Sequence, residues 1–162
     1  MMEQSRNYSF FSNSAEQTMN FASTLSKYLE EKSVLLLEGD LGAGKTTFTK
    51  GLARGLKIER NVNSPTFTII KEYIGGRLPL YHMDVYRLAD SFEDLGFDEY
   101  FEGNGVTVVE WAHLIEDQLP LAYLKINLYH ADENKRKIEL EAVGQRYIDI
   151  CEELFNHENV SD

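Results

Sequence analysis

The chain has 162 residues, with 16 Lys and Arg against 27 Asp and Glu, so its formal net charge is −11. Its hydrophobic share of 43% and charged share of 27% are those of a globular protein, and a single domain of this length buries roughly 68–70% of its unfolded surface. The lone Cys151 excludes an internal disulfide, no apolar run approaches the roughly 20 residues of a membrane-spanning helix, and the acidic balance argues against unaided nucleic-acid binding, which draws on Lys and Arg.

Taken in chain order, Tyr8-Ser9-Phe10-Phe11 suits a short strand. Ser14 then starts a helix, with Gln17 as a capping-box partner three residues on. Met19, Ala22, Leu25, Tyr28 and Leu29 recur at helical spacing and define its buried face. Val34 to Leu37 is an aliphatic run without alternation, the mark of a strand covered on both faces. A glycine-rich turn follows, then a helix from about Lys45 to Leu56. Phe67 to Ile74 and Arg77 to Asp84 read as antiparallel strands around Gly75-Gly76, a hairpin signal, which makes the sheet mixed. Residues 91–101 suit a short helix. Val106 to Val109 is a second buried strand, ending at Glu110-Trp111. Lys125 to Tyr129 and Arg136 to Val143 form a second hairpin, and Gln145 to Phe155 a last helix, with a frayed tail expected from Asn156. No linker or repeat divides the chain, so one α/β domain over 1–162 is expected. Met1-Met2-Glu3-Gln4 lacks the basic-then-apolar order of a signal peptide, which makes a cytoplasmic location the expectation.

Charge is uneven. Between Leu88 and Tyr123 there is no Lys or Arg, but there are nine carboxylates: Asp90, Glu93, Asp94, Asp98, Glu99, Glu102, Glu110, Glu116 and Asp117. Such a stretch is either a solvated face or a docking surface for a basic partner.

Gly39-Asp40-Leu41-Gly42-Ala43-Gly44-Lys45-Thr46 fits G-x-x-x-x-G-K-[ST] without deviation. Glycines let the backbone approach an anion at φ > 0, and successive N–H groups converge on it as a nest. The helix starting near Lys45 adds the positive end of its dipole. Lys45 neutralises the β- and γ-phosphates, the Thr46 hydroxyl ligates Mg²⁺, and Thr47 is placed for a further phosphate contact. A chance match in such a chain is roughly a one-in-two-hundred event. The flanking buried strand and helix supply the context the motif requires.

A P-loop takes a carboxylate from a neighbouring strand end to complete the metal shell. Two strands end that way. Val106-Thr107-Val108-Val109-Glu110 looks like a Walker-B strand with Glu in place of Asp, and the other run is Leu80-Tyr81-His82-Met83-Asp84. Glu110 is assigned to the metal and Asp84 to the attacking water, with Asp84 as the alternative ligand. His82 shares a strand face with Asp84 and is either structural or part of the site. Arg87 is a candidate γ-phosphate or partner contact, or the partner of a local acid. Trp111 is either core or a stacking surface beside the nucleotide. Ser64-Pro65-Thr66 sits where phosphate-sensing NTPases carry a hydroxyl that meets the γ-phosphate or Mg²⁺, and Thr66 is taken as that hydroxyl.

The set Gly39 to Thr47, Ser64-Pro65-Thr66, His82-Met83-Asp84-Val85-Tyr86-Arg87 and Val109-Glu110-Trp111, with the acidic Asp94 to Phe101 segment, resembles the TsaE (YjeE) family of bacterial P-loop ATPases. The likeness covers about residues 34 to 112. Residues 125–162 carry no matching motif. The resemblance implies a three-layer P-loop fold and a part in making threonylcarbamoyladenosine at position 37 of tRNAs that read codons beginning with A. It also implies partnership with TsaB and TsaD, contact with tRNA only through that complex, and switch roles for the Ser-Pro-Thr and His-x-Asp segments, while the Glu-Trp pair completes the nucleotide site.

Two other classes remain in competition. A small-molecule kinase can begin with the same P-loop, but it usually needs several lid arginines, and no Arg lies between 88 and 135. A GTPase usually carries Asn-Lys-x-Asp, and the nearest stretch, Asn134-Lys135-Arg136-Lys137, lacks the Asp. The sequence thus leads to a Mg²⁺-dependent ATPase, slow alone, monomeric in isolation and stimulated by partners.

Overall fold

The computed structural model describes residues 4–39, 44–59, 70–86 and 96–157. Among these, seven strands form one mixed sheet. They are β1 (Ser5–Ser12), β2 (Ser33–Gly39), β3 (Ile70–Tyr73), β4 (Leu80–Asp84), β5 (Val106–Glu110), β6 (Tyr123–His130) and β7 (Arg136–Val143). Their order across the sheet is β1-β7-β6-β2-β5-β4-β3. The central four, β6, β2, β5 and β4, run parallel, and β1, β7 and β3 add antiparallel pairs at the two sides.

The faces of the sheet are covered unequally. Helices α1 (Ala15–Ser26), α2 (Lys45–Gly55) and α4 (Gln145–His157) pack over Leu35, Leu37, Val108, Leu124 and Ile126. The short helix α3 (Phe97–Phe101) and a 3-10 helix over Ala112–Gln118 cover Val34, Leu36, Met83 and Val109 on the other face. This is the expected three-layer α/β arrangement. Cover on both faces explains why Val34 to Leu37 is apolar without alternation: all four residues are buried.

Both expected hairpins form, as β3–β4 and β6–β7. The first has a longer connection than Gly75-Gly76 alone, because residues 74–79 dock on the helical layer. Arg77 N–H donates to the Leu56 carbonyl at 2.6 Å, and its guanidinium donates to the carbonyls of Ser26 (2.6 Å) and Leu29 (3.0 Å), closing the end of α1. The α1 cap holds as expected: Gln17 N–H donates to Ser14 Oγ at 3.1 Å. The Gln17 side chain reaches one residue further back than a standard capping box, accepting from Asn13 N–H at 2.8 Å.

The buried face of α1 is broader than the expected stripe. It includes Phe21, while Met19 is only half-buried. Phe21 is gripped from two sides, 6.3 Å from the Phe48 ring of α2 and 6.2 Å from Phe155 of α4. The last helix also runs to His157, two residues past the expected end. Of the helix expected over 91–101, Phe97–Phe101 is formed behind Gly96 at φ +74°, and 91–95 lie outside the described residues.

Candidate phosphate and metal site

The site lies at the carboxyl ends of β2, β5 and β4. Their register places Leu37, Glu110 and Asp84 in one row, and in a parallel sheet such a row shares a face. That face is the one α2 covers. The first strand ends at Gly39, and α2 begins behind Gly44 at φ +106°. No side chain among the described residues caps α2 at Gly44, so the N–H groups of Lys45, Thr46 and Thr47, which cannot bond within the helix, are oriented as donors for an anion. A Cβ on Gly44 would meet nothing within 4 Å, so it is the positive φ that requires glycine here. Asp40, Leu41, Gly42 and Ala43 lie outside the described residues, as do Ser64, Pro65, Thr66 and Arg87.

Lys45, Glu110, His82 and Trp111 converge. Lys45 Nζ lies 3.5 Å from Glu110 Oε1 and over the Trp111 ring, 5.0 Å from its centroid. His82 Nε2 lies 2.6 Å from Glu110 Oε2. Burial pushes the Glu110 carboxyl up, but the His82 hydrogen bond and the charges of His82 and Lys45 outweigh it and hold the group below the usual carboxylate value. An ionised carboxylate only accepts hydrogen bonds, so Nε2 of His82 carries the proton. His82 Nδ1, by contrast, is buried and has no hydrogen-bond partner among the described residues.

Asp84 is half-buried, and its Oδ1 accepts from Tyr86 N–H at 3.0 Å. Trp111 leaves β5 in the left-handed region at φ +63°, a conformation that costs a bulky residue about 1–2 kcal/mol. This bend turns the chain into the 3-10 helix. The Trp111 ring packs partly on the Val109 side and contacts Tyr86 (5.0 Å) and His113 (5.9 Å). Trp111 thus packs partly on the core while its ring lies beside Lys45.

For a hard cation the usable donors are the Thr46 hydroxyl and the carboxylates of Glu110 and Asp84. Among the described residues no group of three or more His, Cys, Asp and Glu is placed to hold a metal. A magnesium ion here would depend on phosphate oxygens and water for the rest of its shell, as it does in nucleotide sites generally. The donor set and the open helix terminus fit a magnesium–phosphate group.

Two contacts escaped the sequence reading. The Tyr86 ring packs against Trp111 in a tilted arrangement, although only the parity of β4 could have signalled a shared corner. His113 Nδ1 lies 3.3 Å from Glu38 Oε1 at the end of β2, a pairing across 75 residues without any motif. Of the nine carboxylates, Asp98, Glu99, Glu102, Glu116 and Asp117 are exposed and Glu110 is buried. Asp90, Glu93 and Asp94 lie outside the described residues.

A buried strand ending at Gly39 and a helix that starts behind Gly44 and carries Lys45-Thr46, beside a strand-end carboxylate, define a P-loop α/β protein. The family profile described as "Threonylcarbamoyl adenosine biosynthesis protein TsaE" matches residues 12–138. The chain is 60% identical over 147 residues to the tRNA threonylcarbamoyladenosine biosynthesis protein TsaE of Bacillus subtilis, covering 91% of this chain and 93% of that one. It is 46% identical over 129 residues to the protein of the same name from Treponema pallidum, covering 78% and 95%. A crystal structure of YdiB from Bacillus subtilis superposes with a TM-score of 0.85 at 51% identity, covering 96% of this chain and 99% of that one. The chain belongs to the TsaE family.

Proposed function

We propose that the chain is a Mg²⁺-dependent ATPase that serves threonylcarbamoyladenosine synthesis on tRNA in the cytoplasm as an accessory subunit of TsaB and TsaD. The supporting observation is the meeting of Lys45, Glu110 and Trp111 at the uncapped start of α2, in a member of a family described by that biosynthesis. Among the described residues no helix is long and apolar enough to cross a membrane.

The chain's residues divide the work. Backbone N–H groups of Gly44 to Thr47 and the Lys45 ammonium bind the phosphates, with the remaining P-loop residues Gly39 to Ala43 completing the cradle. Lys45 leaves Glu110 to do so. Thr46 and Glu110 hold Mg²⁺, which when bound offsets charge developing on the γ-phosphoryl oxygens. Asp84 orients the attacking water or takes its proton, and Thr66 contributes a hydroxyl near the γ-phosphate. Trp111 walls the site.

Partner dependence follows from charge. A charge-stabilising Arg at the γ-phosphate is worth about 10³–10⁵ in rate. Arg87 is the one internal candidate near the motif residues, and none lies between 88 and 135. The partner complex supplies or positions the missing element. With a net charge of −11, the isolated monomer does not hold free tRNA at physiological salt.

The test is ATP hydrolysis by the purified chain, with and without the TsaB–TsaD pair. Slow turnover that rises on addition supports the proposal. Fast turnover unaffected by partners overturns the accessory role, and stoichiometric phosphate transfer to a metabolite would replace it with a kinase.

A further inference from the structure

His82 is wholly buried, with 0% side-chain exposure, in the layer beneath α2. Its β4 neighbour toward the strand start, Leu80, and its β5 cross-strand neighbour Val108 are buried aliphatics, and its cross-strand neighbour on β3 is the half-buried Lys71. One ring nitrogen is satisfied by Glu110 and the other by nothing among the described residues. A buried polar group with an unmet atom costs stability, and a half-satisfied polar pair is inferior to an apolar side chain in the same space. Core packing therefore does not account for histidine at this position; its effect on Glu110 does.

The two oxygens of Glu110 are held differently. Oε1 faces Lys45 at 3.5 Å, a loose ion pair. Oε2 accepts from His82 Nε2–H at 2.6 Å, a short charge-assisted bond. When Lys45 turns to a phosphate, the Oε1 contact is lost and the His82 contact remains. His82 comes from a neighbouring strand in fixed register and has no exposed path along which to swing.

We propose that His82 is a positioning residue for Glu110: its Nε2–H fixes the carboxylate after Lys45 has left, so that Oε1 is presented to the metal in one orientation. The inference deepens the ATPase reading and rests on it. It follows the general pattern in which a partner behind a metal ligand orients it, and in which loss of that partner lowers metal affinity by about 10–100-fold.

Three variants separate this role from packing. His82→Leu fills the space and removes the donor. His82→Gln puts an amide N–H near the former Nε2. Glu110→Gln removes the charge being held. Mg²⁺ affinity is read from the Mg²⁺ dependence of ADP binding by calorimetry, and from the Mg²⁺ concentration giving half-maximal ATP hydrolysis. The expected result for His82→Leu is a Mg²⁺ requirement raised by about tenfold or more, with Mg²⁺-free ADP affinity and thermal midpoint preserved. His82→Gln should recover most of the loss.

A separate reading uses nucleotide-free protein labelled with ¹⁵N-histidine. His82 should give a downfield, slowly exchanging Nε2 proton that shifts in Glu110→Gln. Unchanged Mg²⁺ dependence in His82→Leu overturns the proposal, as does equal loss in the Leu and Gln variants or absence of the protected proton. If the wild-type chain hydrolyses no ATP while the protected proton is present, the ATPase reading fails and the His82–Glu110 bond stands apart from it.

Discussion

Lys45 Nζ lies 5.0 Å from the centroid of the Trp111 ring, within cation–π range. The lysine of the phosphate cradle is thereby coupled to the only tryptophan in the chain. On the proposed reading, nucleotide binding would draw Lys45 toward phosphate and alter the field at the indole. Intrinsic fluorescence at 295 nm excitation should therefore change in a saturable way on titration with ATP. Lys45→Ala should abolish that change and weaken binding by about 30-fold or more, the cost of removing one member of a desolvated charge pair. An unchanged spectrum, with binding shown independently, would leave Trp111 a packing residue only.

Asp84 and Glu110 are register partners but differ in surroundings, and their variants should differ too. Asp84→Asn should lower turnover by about 10²–10⁴-fold with nucleotide affinity nearly intact, as for loss of a base. Glu110→Gln should raise the Mg²⁺ requirement. Steady-state kinetics across a Mg²⁺ series distinguishes them. A reversed pair of phenotypes would exchange the roles while leaving the site in place.

The close approach of α1 and α2 should be sensitive at one glycine. A Cβ on Gly55 would collide with Ser26 Oγ and the Ser23 carbonyl, and would stand 2.9 Å from Ser23 Cα. Backbone atoms cannot yield as a side-chain tip does. Gly55→Ala should destabilise the protein by about 1–3 kcal/mol, the usual cost of overpacking, despite alanine's better helix propensity. The urea midpoint would show this, and a stabilised variant would mean the helices separate readily.

Burial pushes the Cys151 thiol up to about 12, with a smaller push from Glu152. The sign is that of a group kept neutral: the thiol remains protonated through pH 8–9, and only a thiolate reacts. A disulfide reagent at pH 8 should modify the native chain negligibly and the urea-unfolded chain at once. Prompt reaction of native protein would show that α4 opens locally.

The start of α2 behind Gly44 was the most legible part of the sequence, because Gly44-Lys45-Thr46 after a buried strand encodes a positive φ, a charge and a helix start together. The buried strands around Val34 and Val106 were legible because double burial removes alternation. The position of β1, paired with β7 at the sheet edge, was not. Strand pairing across about 130 residues depends on the assembled layers, and nothing near Tyr8 encodes its neighbour. Likewise, Glu110 and Asp84 could be read as strand-end acids from local sequence. That His82 would touch Glu110 depended on which strands lie side by side, which no spacing within either segment determines.

The row formed by Leu37, Glu110 and Asp84 sets rules for how this chain can change length. Side chains alternate between faces with a period of two. Deleting one residue within β5 before Glu110 would carry its carboxylate to the side of Phe97 and Phe101 and bring Trp111 into its place in the row. The deletion would remove no member of the site, yet it would dismantle it. The connection between β6 and β7, residues 131–135, carries no such constraint. Insertions there leave the parity of the central strands intact. Natural and engineered length variation should accumulate in that connection and be absent from the three strands, whose residue count functions as an address for the chemistry.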